Sequence, residues 1–140
     1  MREKNMEPGP QTNLVSLETQ IYKMIGEEGF AKLVAAFYSQ IPADDILGPL
    51  YPKDDLAGAQ DRLRLFLIQR FGGPEHYSQQ RGHPRLRMRH APFPVNRAAV
   101  DRWLAVMDRA MKQTNLPAAV DMVLRRYFDD TAKFLMNSKS

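Results

Sequence analysis

Three observations predict an all-α fold. Apolar residues recur at intervals of three and four over four long stretches, prolines and glycine pairs punctuate the gaps between them, and neither a parallel-sheet unit nor a glycine-rich phosphate loop occurs. At 140 residues the chain is expected to form one domain around one core. Four amphipathic helices flank a basic middle segment with too few apolar residues for a helix of its own. That arrangement predicts a helical sandwich enclosing something.

Residues 1–15 carry Pro8, Gly9 and Pro10 among polar side chains and are expected to be a disordered arm, neither a signal peptide nor an anchor. The domain is expected over residues 16–140. Leu17, Ile21 and Met24 or Ile25 mark a short helix that Gly26 breaks. A stronger helix follows from Glu27, with Phe30, Leu33, Val34, Phe37, Tyr38 and Ile41 on one face and Pro42 near its end. Tyr38 therefore faces inward, as a core tyrosine or as a donor.

A turn-rich link holds Gly48, Pro49, Tyr51 and Pro52, so Tyr51 is wedged between prolines. Asp54 and Asp55 are expected to cap a helix over about 56–71, whose stripe is Leu56, Ala59, Leu63, Phe66, Leu67 and Phe71. Small Ala59 leaves room either for close helix packing or above a ligand. Gly72-Gly73-Pro74 then forces a break. A short helix over 74–80 is expected, and another around His90. The last two helices are well patterned. One runs from about Asn96 to Thr114 with Val100, Trp103, Leu104, Met107 and Met111 inward. The other opens at Pro117 with Val120, Val123, Leu124, Tyr127, Thr131, Phe134 and Leu135 inward.

With 20 Lys+Arg against 16 Asp+Glu the net charge is +4, and much of the surplus lies between Arg81 and Arg89. The absence of cysteine rules out disulfides, iron–sulfur clusters and thiolate zinc sites, and fits the reducing cytoplasm. No apolar run approaches membrane-spanning length, so no membrane partner is expected.

The chain is organised around residues 82–93, Gly-His-Pro-Arg-Leu-Arg-Met-Arg-His-Ala-Pro-Phe. Pro92 restricts Ala91 to extended conformations, so a helix here must stop at about His90. One ring nitrogen of His90 could then donate to the free carbonyl of Leu86, leaving the other to bind a metal. A single histidine is not a metal motif, and a solvated basic loop is the competing reading.

Beyond these residue-level readings, the chain from about residue 21 to 137 resembles the truncated haemoglobins of the second group. The resemblance is carried by Phe37-Tyr38, Tyr51-Pro52, Leu56-Ala57-Gly58-Ala59, Phe71-Gly72-Gly73-Pro74, Gly82-His83-Pro84 with residues 87–93, and Trp103. It implies a two-over-two helical sandwich around haem b, with His90 as the proximal ligand of the iron. It implies Arg89 as a propionate partner, with Arg62 as a second candidate. Tyr38, Tyr51 and Trp103 match the distal positions around a bound ligand, and Ala59 and Leu63 match the small and apolar distal positions. Phe66, Leu67, Met88, Phe93 and Met107 are expected to line the pocket. The chain departs from the family between its first two helices, where Gly26-Glu27-Glu28-Gly29 replaces a glycine pair.

The resemblance further implies that the ligands are oxygen, nitric oxide, carbon monoxide or peroxide. Hydrogen-bond donors at Tyr38 and Trp103 would favour a polarised oxygen ligand over neutral carbon monoxide and slow its release. The expected work is oxidative: nitric oxide dioxygenation or peroxide reduction, with an external electron donor. Oxygen storage or transport and gas sensing without catalysis are the alternatives, and self-association into a homodimer is left open. A helical nucleic-acid-binding module built on Arg81, Arg85, Arg87 and Arg89 is the remote rival; it lacks a recognition helix with polar base-reading residues, so no nucleic acid is expected.

Overall fold

The structure is a computed structural model that describes residues 17–138. The expected arm, residues 1–15, lies outside the described residues. The helices are α1 (Ile21–Tyr38), α2 (Leu56–Arg70), α3 (His76–Arg81), α4 (Leu86–His90), α5 (Arg97–Thr114) and α6 (Ala118–Leu135), with a 3-10 turn at Gly48–Leu50. There is no strand among the described residues. α1 packs on both α2 and α5, and α6 packs on α5, so two helical pairs cross as a two-over-two sandwich.

Gly26 breaks the N-terminal helix as the sequence predicts, so α1 is two helical segments that meet at a kink. Gly26 sits at φ +66° and ψ −178° inside α1, a conformation that glycine adopts without a Cβ penalty. The chain changes direction there and resumes its helix at once. The apolar face then delivers Phe30, Leu33, Val34 and Phe37 to the core, all fully buried.

The break after α2 is shaped by how closely α1 approaches it. Gly72 has φ +98°, and a Cβ there would lie 2.1 Å from the Thr19 carbonyl oxygen. The Tyr22 N–H donates to the Phe71 carbonyl at 2.9 Å across the same contact. Paired glycines are therefore required by space as well as by backbone angle. Phe71, next to them, stacks on Phe30 with ring centres 6.3 Å apart and meets Tyr127 of α6 edge-on at 5.1 Å, which ties both layers together.

Helix ends follow the sequence with one correction. The Asn96 side chain accepts from the Ala99 N–H at 2.9 Å and starts α5, and Asn115 ends it with φ +57°. Asp55 stands at the cap position of α2, but its side chain makes no cap bond and instead accepts from Arg62 Nη1 at 3.2 Å. The expected capping role of Asp55 is not realised; an arginine seven residues on, two helical turns, competes for the carboxylate. Phe134, read as inward, is 57% exposed, with the Arg87 guanidinium 5.0 Å from its ring centre. Leu135 beside it takes the inner position, since one residue turns the face by about 100°. No helix among the described residues is long and apolar enough to cross a membrane.

Candidate functional site

A cavity of about 690 Å³ opens between α2, α4, α5 and α6, within the ~300–1,000 Å³ typical of ligand sites. Most of its wall is aliphatic or aromatic. Tyr38, Tyr51, Ala59, Leu63, Phe66, Leu67, Phe93, Trp103, Arg62, Arg89 and His90 all line it, so eleven of the thirteen residues singled out in the sequence converge on one space. Met88 and Met107 do not. Met88 is 59% exposed, because two residues from His90 on a one-turn helix is the opposite side. Met107 is buried in the core and faces a smaller cleft between α5 and α6, one turn beyond Trp103.

α4 ends at His90, but Ala91 keeps helical angles (φ −55°, ψ −38°) and not the extended ones expected before Pro92, so the helix stops where Pro92 supplies no N–H and not through Ala91. His90 Nδ1 lies 2.8 Å from the Leu86 carbonyl oxygen. A carbonyl can only accept, so Nδ1 carries the proton and Nε2 keeps the lone pair. Nε2 has no hydrogen-bond partner among the described residues and belongs to a side chain that lines the cavity. A ring held in this tautomer is ready to bind a metal.

Two devices fix this corner. Arg89 Nε donates to the Pro84 carbonyl at 2.7 Å, and its Nη2 donates to the carbonyls of Arg81 and His83 at 2.6 and 3.2 Å. One guanidinium thereby satisfies the free carbonyls of the segment that leads into α4, where Arg85 takes φ +43°. The second device comes from the far end of the chain. Asn137 Nδ2 donates to the carbonyls of His90 and Phe93 at 3.2 and 3.0 Å, and its Oδ1 accepts from the Val95 N–H at 2.9 Å. Sequence reading missed Asn137, because nothing local marks a residue 47 positions from the histidine it serves.

α3 is pinned to α2 by one side-chain amide. Gln69 Nε2 donates to Ser78 Oγ at 2.6 Å, and Gln69 Oε1 accepts from the Ser78 N–H at 2.9 Å. This sets Tyr77 against Phe66, ring centres 5.6 Å apart, as part of the cavity wall. Arg81 lines the rim beside Arg89 and was read before only as part of a basic stretch.

The aromatic part of the cavity is held as tightly. Asp44 Oδ1 accepts from the N–H groups of Ile46 and Leu47 at 3.0 and 2.7 Å, and its Oδ2 accepts from Arg102 of α5 at 2.9 Å. That turn positions the 3-10 segment and thereby Tyr51. The Tyr38 and Tyr51 rings meet edge-on at 5.5 Å, and Trp103 packs between Phe37 at 5.2 Å and Phe128 at 5.4 Å. The Tyr38 hydroxyl donates to the Ala59 carbonyl at 3.3 Å, possible because position 59 has no bulk. Burial pushes the Tyr38 phenol well above its ordinary range, with Tyr51 adding to the shift and Arg62 opposing it. Burial also pushes Tyr51 up to about 12, opposed by a hydrogen bond that the Trp103 indole N–H donates to it. Both phenols thus remain protonated donors at neutral pH.

An apolar cavity with one unpartnered imidazole nitrogen, protonated aromatic donors and arginines at its rim fits a flat iron porphyrin with two carboxylate tails. These features define the pocket of a haem protein of the globin class. The sequence profile of the bacterial-like globins matches residues 20–137. The group 2 truncated haemoglobin YjbI of Bacillus subtilis is 36% identical over 116 residues, 83% of this chain and 87% of its own. A haemoglobin structure from Chloroflexus aurantiacus superposes with TM-score 0.81 at 45% identity, covering 84% of this chain and 97% of that one. A structure described as truncated oxygen-avid haemoglobin from Bacillus subtilis gives 0.79 at 36% identity, covering 83% and 98%. The chain belongs to the bacterial-like globin family, and its relatives are group II truncated haemoglobins, haem proteins that bind gaseous ligands such as oxygen.

Proposed function

We propose that residues 16–140 form a haem b domain that takes up oxygen, releases it slowly and uses it to oxidise nitric oxide to nitrate. The observation that carries this reading is one cavity lined both by His90, with Nε2 left free by the Nδ1 bond to Leu86, and by the donors Tyr38, Tyr51 and Trp103. When bound, haem supplies the iron that binds the diatomic ligand and gives up one electron.

The chain's own residues do the rest. His90 would hold the group from α4 through its free Nε2. Arg62, Arg81 and Arg89 at the rim offer cations to its carboxylates. Tyr51 and Trp103 present O–H and N–H groups to a ligand that carries partial negative charge, which slows departure of oxygen more than of carbon monoxide. An oxygen-avid relative supports this reading. Leu63 and Ala59 add no polar group, so a second small apolar molecule such as nitric oxide can enter beside the first.

Nitric oxide takes both oxygen atoms and one electron to become nitrate, which requires no proton. Peroxide reduction requires protons, and among the described residues lining the cavity there is no carboxylate and no histidine besides His90. That contrast favours dioxygenation. A protein that holds oxygen tightly is also poorly suited to transport. The electron that nitrate formation takes would have to be returned by an external donor, and a cysteine-free chain fits work in the reducing cytoplasm. The test is stopped-flow mixing of the oxygenated protein with nitric oxide. One nitrate per haem, formed as the oxygenated spectrum turns ferric, is expected; oxygen displaced unchanged would overturn the reading.

A further inference from the structure

We propose that the outer face of α4, with Phe93 and the last turn of α6, docks an acidic one-electron-donor protein that re-reduces the haem. This rests on the reading that the haem cycles between ferrous and ferric states.

The charge on this face is segregated. Residues 76–100 contain five arginines and no carboxylate; Arg97 pairs with Asp101 of α5, and the other four, Arg81, Arg85, Arg87 and Arg89, equal the +4 of the whole chain. Elsewhere most arginines are paired with carboxylates, Arg62 with Asp55, Arg64 with Glu27, Arg70 with Glu18 and Arg102 with Asp44, although Arg109 holds only Gln40 and exposed Arg126 has no carboxylate partner among the described residues. Among the described residues, no carboxylate pairs with Arg81, Arg85, Arg87 or Arg89. Arg85 and Arg87 are exposed. A surface whose cations are left unmatched attracts an anionic partner from a distance and orients it. The chain's own residues 1–16 carry two acidic and two basic side chains, so they bring no net negative charge to the patch.

Apolar side chains sit among these cations. Met88, Phe93 and Phe134 are 59%, 49% and 57% exposed, three of the five large apolar side chains left open among the described residues. Met, Phe and Arg are residues that protein interfaces enrich, and redox encounters use small patches of this kind.

Position selects an electron donor among acidic partners. α4 is a single turn whose inner side gives Leu86, Arg89 and His90 to the cavity and whose outer side gives Arg85, Arg87 and Met88 to solvent. A partner on the outside is therefore about one helix diameter, ~10 Å, from the cavity. Phe93 spans the wall, lining the cavity while half exposed. The step is outer-sphere: one electron leaves the donor's reduced centre, ferric iron becomes ferrous, and no bond is made or broken.

The experiment follows reduction of the ferric holoprotein under carbon monoxide, by reduced flavodoxin or plant-type ferredoxin as acidic probes and by photoreduced riboflavin as an uncharged one. With at least one acidic probe the rate should fall steeply between low and physiological salt, and R85E/R87E should lose on the order of tenfold or more at low salt. R85K/R87K should keep most of the rate, and riboflavin should reduce all three proteins alike. Fluorescence titration of the same holoproteins should show salt-sensitive binding of the probe by parent and Lys variant only. Nitrate yield in a single nitric oxide turnover should be unchanged in R85E/R87E, which separates failure of docking from failure of the dioxygenase reading. Rates independent of salt with both acidic probes, equal rates for parent and R85E/R87E, or tighter binding to duplex DNA or anionic vesicles than to either probe would each overturn the proposal. M88E, which leaves both arginines in place, should also slow the acidic probe; if R85E/R87E does not hold haem, an unslowed M88E overturns it.

Discussion

His90 Nδ1 stands 2.8 Å from the carbonyl oxygen of Leu86, one turn back on the same short helix. This bond decides which ring nitrogen is free. His90→Gly is expected to give a haem-poor protein, or one whose coordination is restored by added imidazole. His76 and His83 are exposed and line no part of the cavity, so alanine at either should leave the absorption spectrum unchanged. Loss of haem in either of those variants, with normal coordination in His90→Gly, would refute the axial assignment.

Of the three arginines proposed to meet the haem carboxylates, Arg62 and Arg89 differ in what else they hold. Arg62 has one exposed partner, Asp55, and a surface pair of this kind contributes about 0–1 kcal/mol. Arg89 holds three backbone carbonyls ahead of α4, and hydrogen bonds from a charged group are worth about 1.5–3 kcal/mol before solvent weakens them. Arg89→Ala should therefore speed haem transfer to an acceptor protein clearly more than Arg62→Ala does. Equal effects would show that Arg89 acts only through the rim charge.

Asn137 offers a sharper separation of positioning from mere stability. Its amide holds the carbonyls of His90 and Phe93 and the N–H of Val95, all at the surface, so Asn137→Ala should cost only about 1–2 kcal/mol. The iron–histidine stretching band of the ferrous protein should nevertheless shift or broaden, since the helix end that carries the imidazole loses its tie. An unchanged band with a lowered melting temperature would confine Asn137 to fold stability.

The sequence made the helices legible because each long one buries a continuous stripe, and the His90 corner legible because α4 does stop at His90 ahead of Pro92, although Ala91 between them stays helical. Asp55 shows the limit of local reasoning: its cap position was readable, but the carboxylate went to Arg62, two turns on. Met88 and Phe134 were misplaced for a different reason. Five-residue α4 contains too few residues to define a face, and Phe134 stands on the last turn of the long α6, where one residue of drift moves a side chain from core to solvent. Asn137 and Arg81 were invisible because their roles depend on contacts that only the folded chain creates.

The buried phenols make stability depend on alkaline pH. Tyr51 is pushed up to about 12 and Tyr38 higher still, both chiefly by burial, against an ordinary value near 10. A folded state that binds the proton more tightly than the unfolded chain has that contribution in full below about pH 10 and loses it as pH rises through the folded pKa. Unfolding on the alkaline side should thus steepen between about pH 10 and 12, and Tyr51→Phe should flatten that limb. Between pH 6 and 9 both hydroxyls stay protonated, so oxygen release should be nearly constant there.

Trp103 is half-buried between two phenylalanines, which would serve packing alone, yet its indole N–H already donates to the Tyr51 hydroxyl in the cavity. The two roles separate by chemistry. Trp103→Phe keeps most of the apolar volume and removes the donor, so packing alone predicts a small loss of stability and unchanged oxygen release. A hydrogen bond to a charged acceptor is worth about 1.5–3 kcal/mol, which as a lost ground-state interaction speeds oxygen release roughly 10- to 150-fold. Carbon monoxide release should change much less. Because the Trp103 N–H and the Tyr51 O–H are coupled, each can take over part of the other's bond; the double variant with Tyr51→Phe should therefore release oxygen faster than the product of the single effects. Tyr38→Phe should do less, since its hydroxyl is committed to the Ala59 carbonyl at 3.3 Å. Oxygen release from Trp103→Phe within about twofold of the parent, alone and in the Tyr51→Phe background, would return Trp103 to the core.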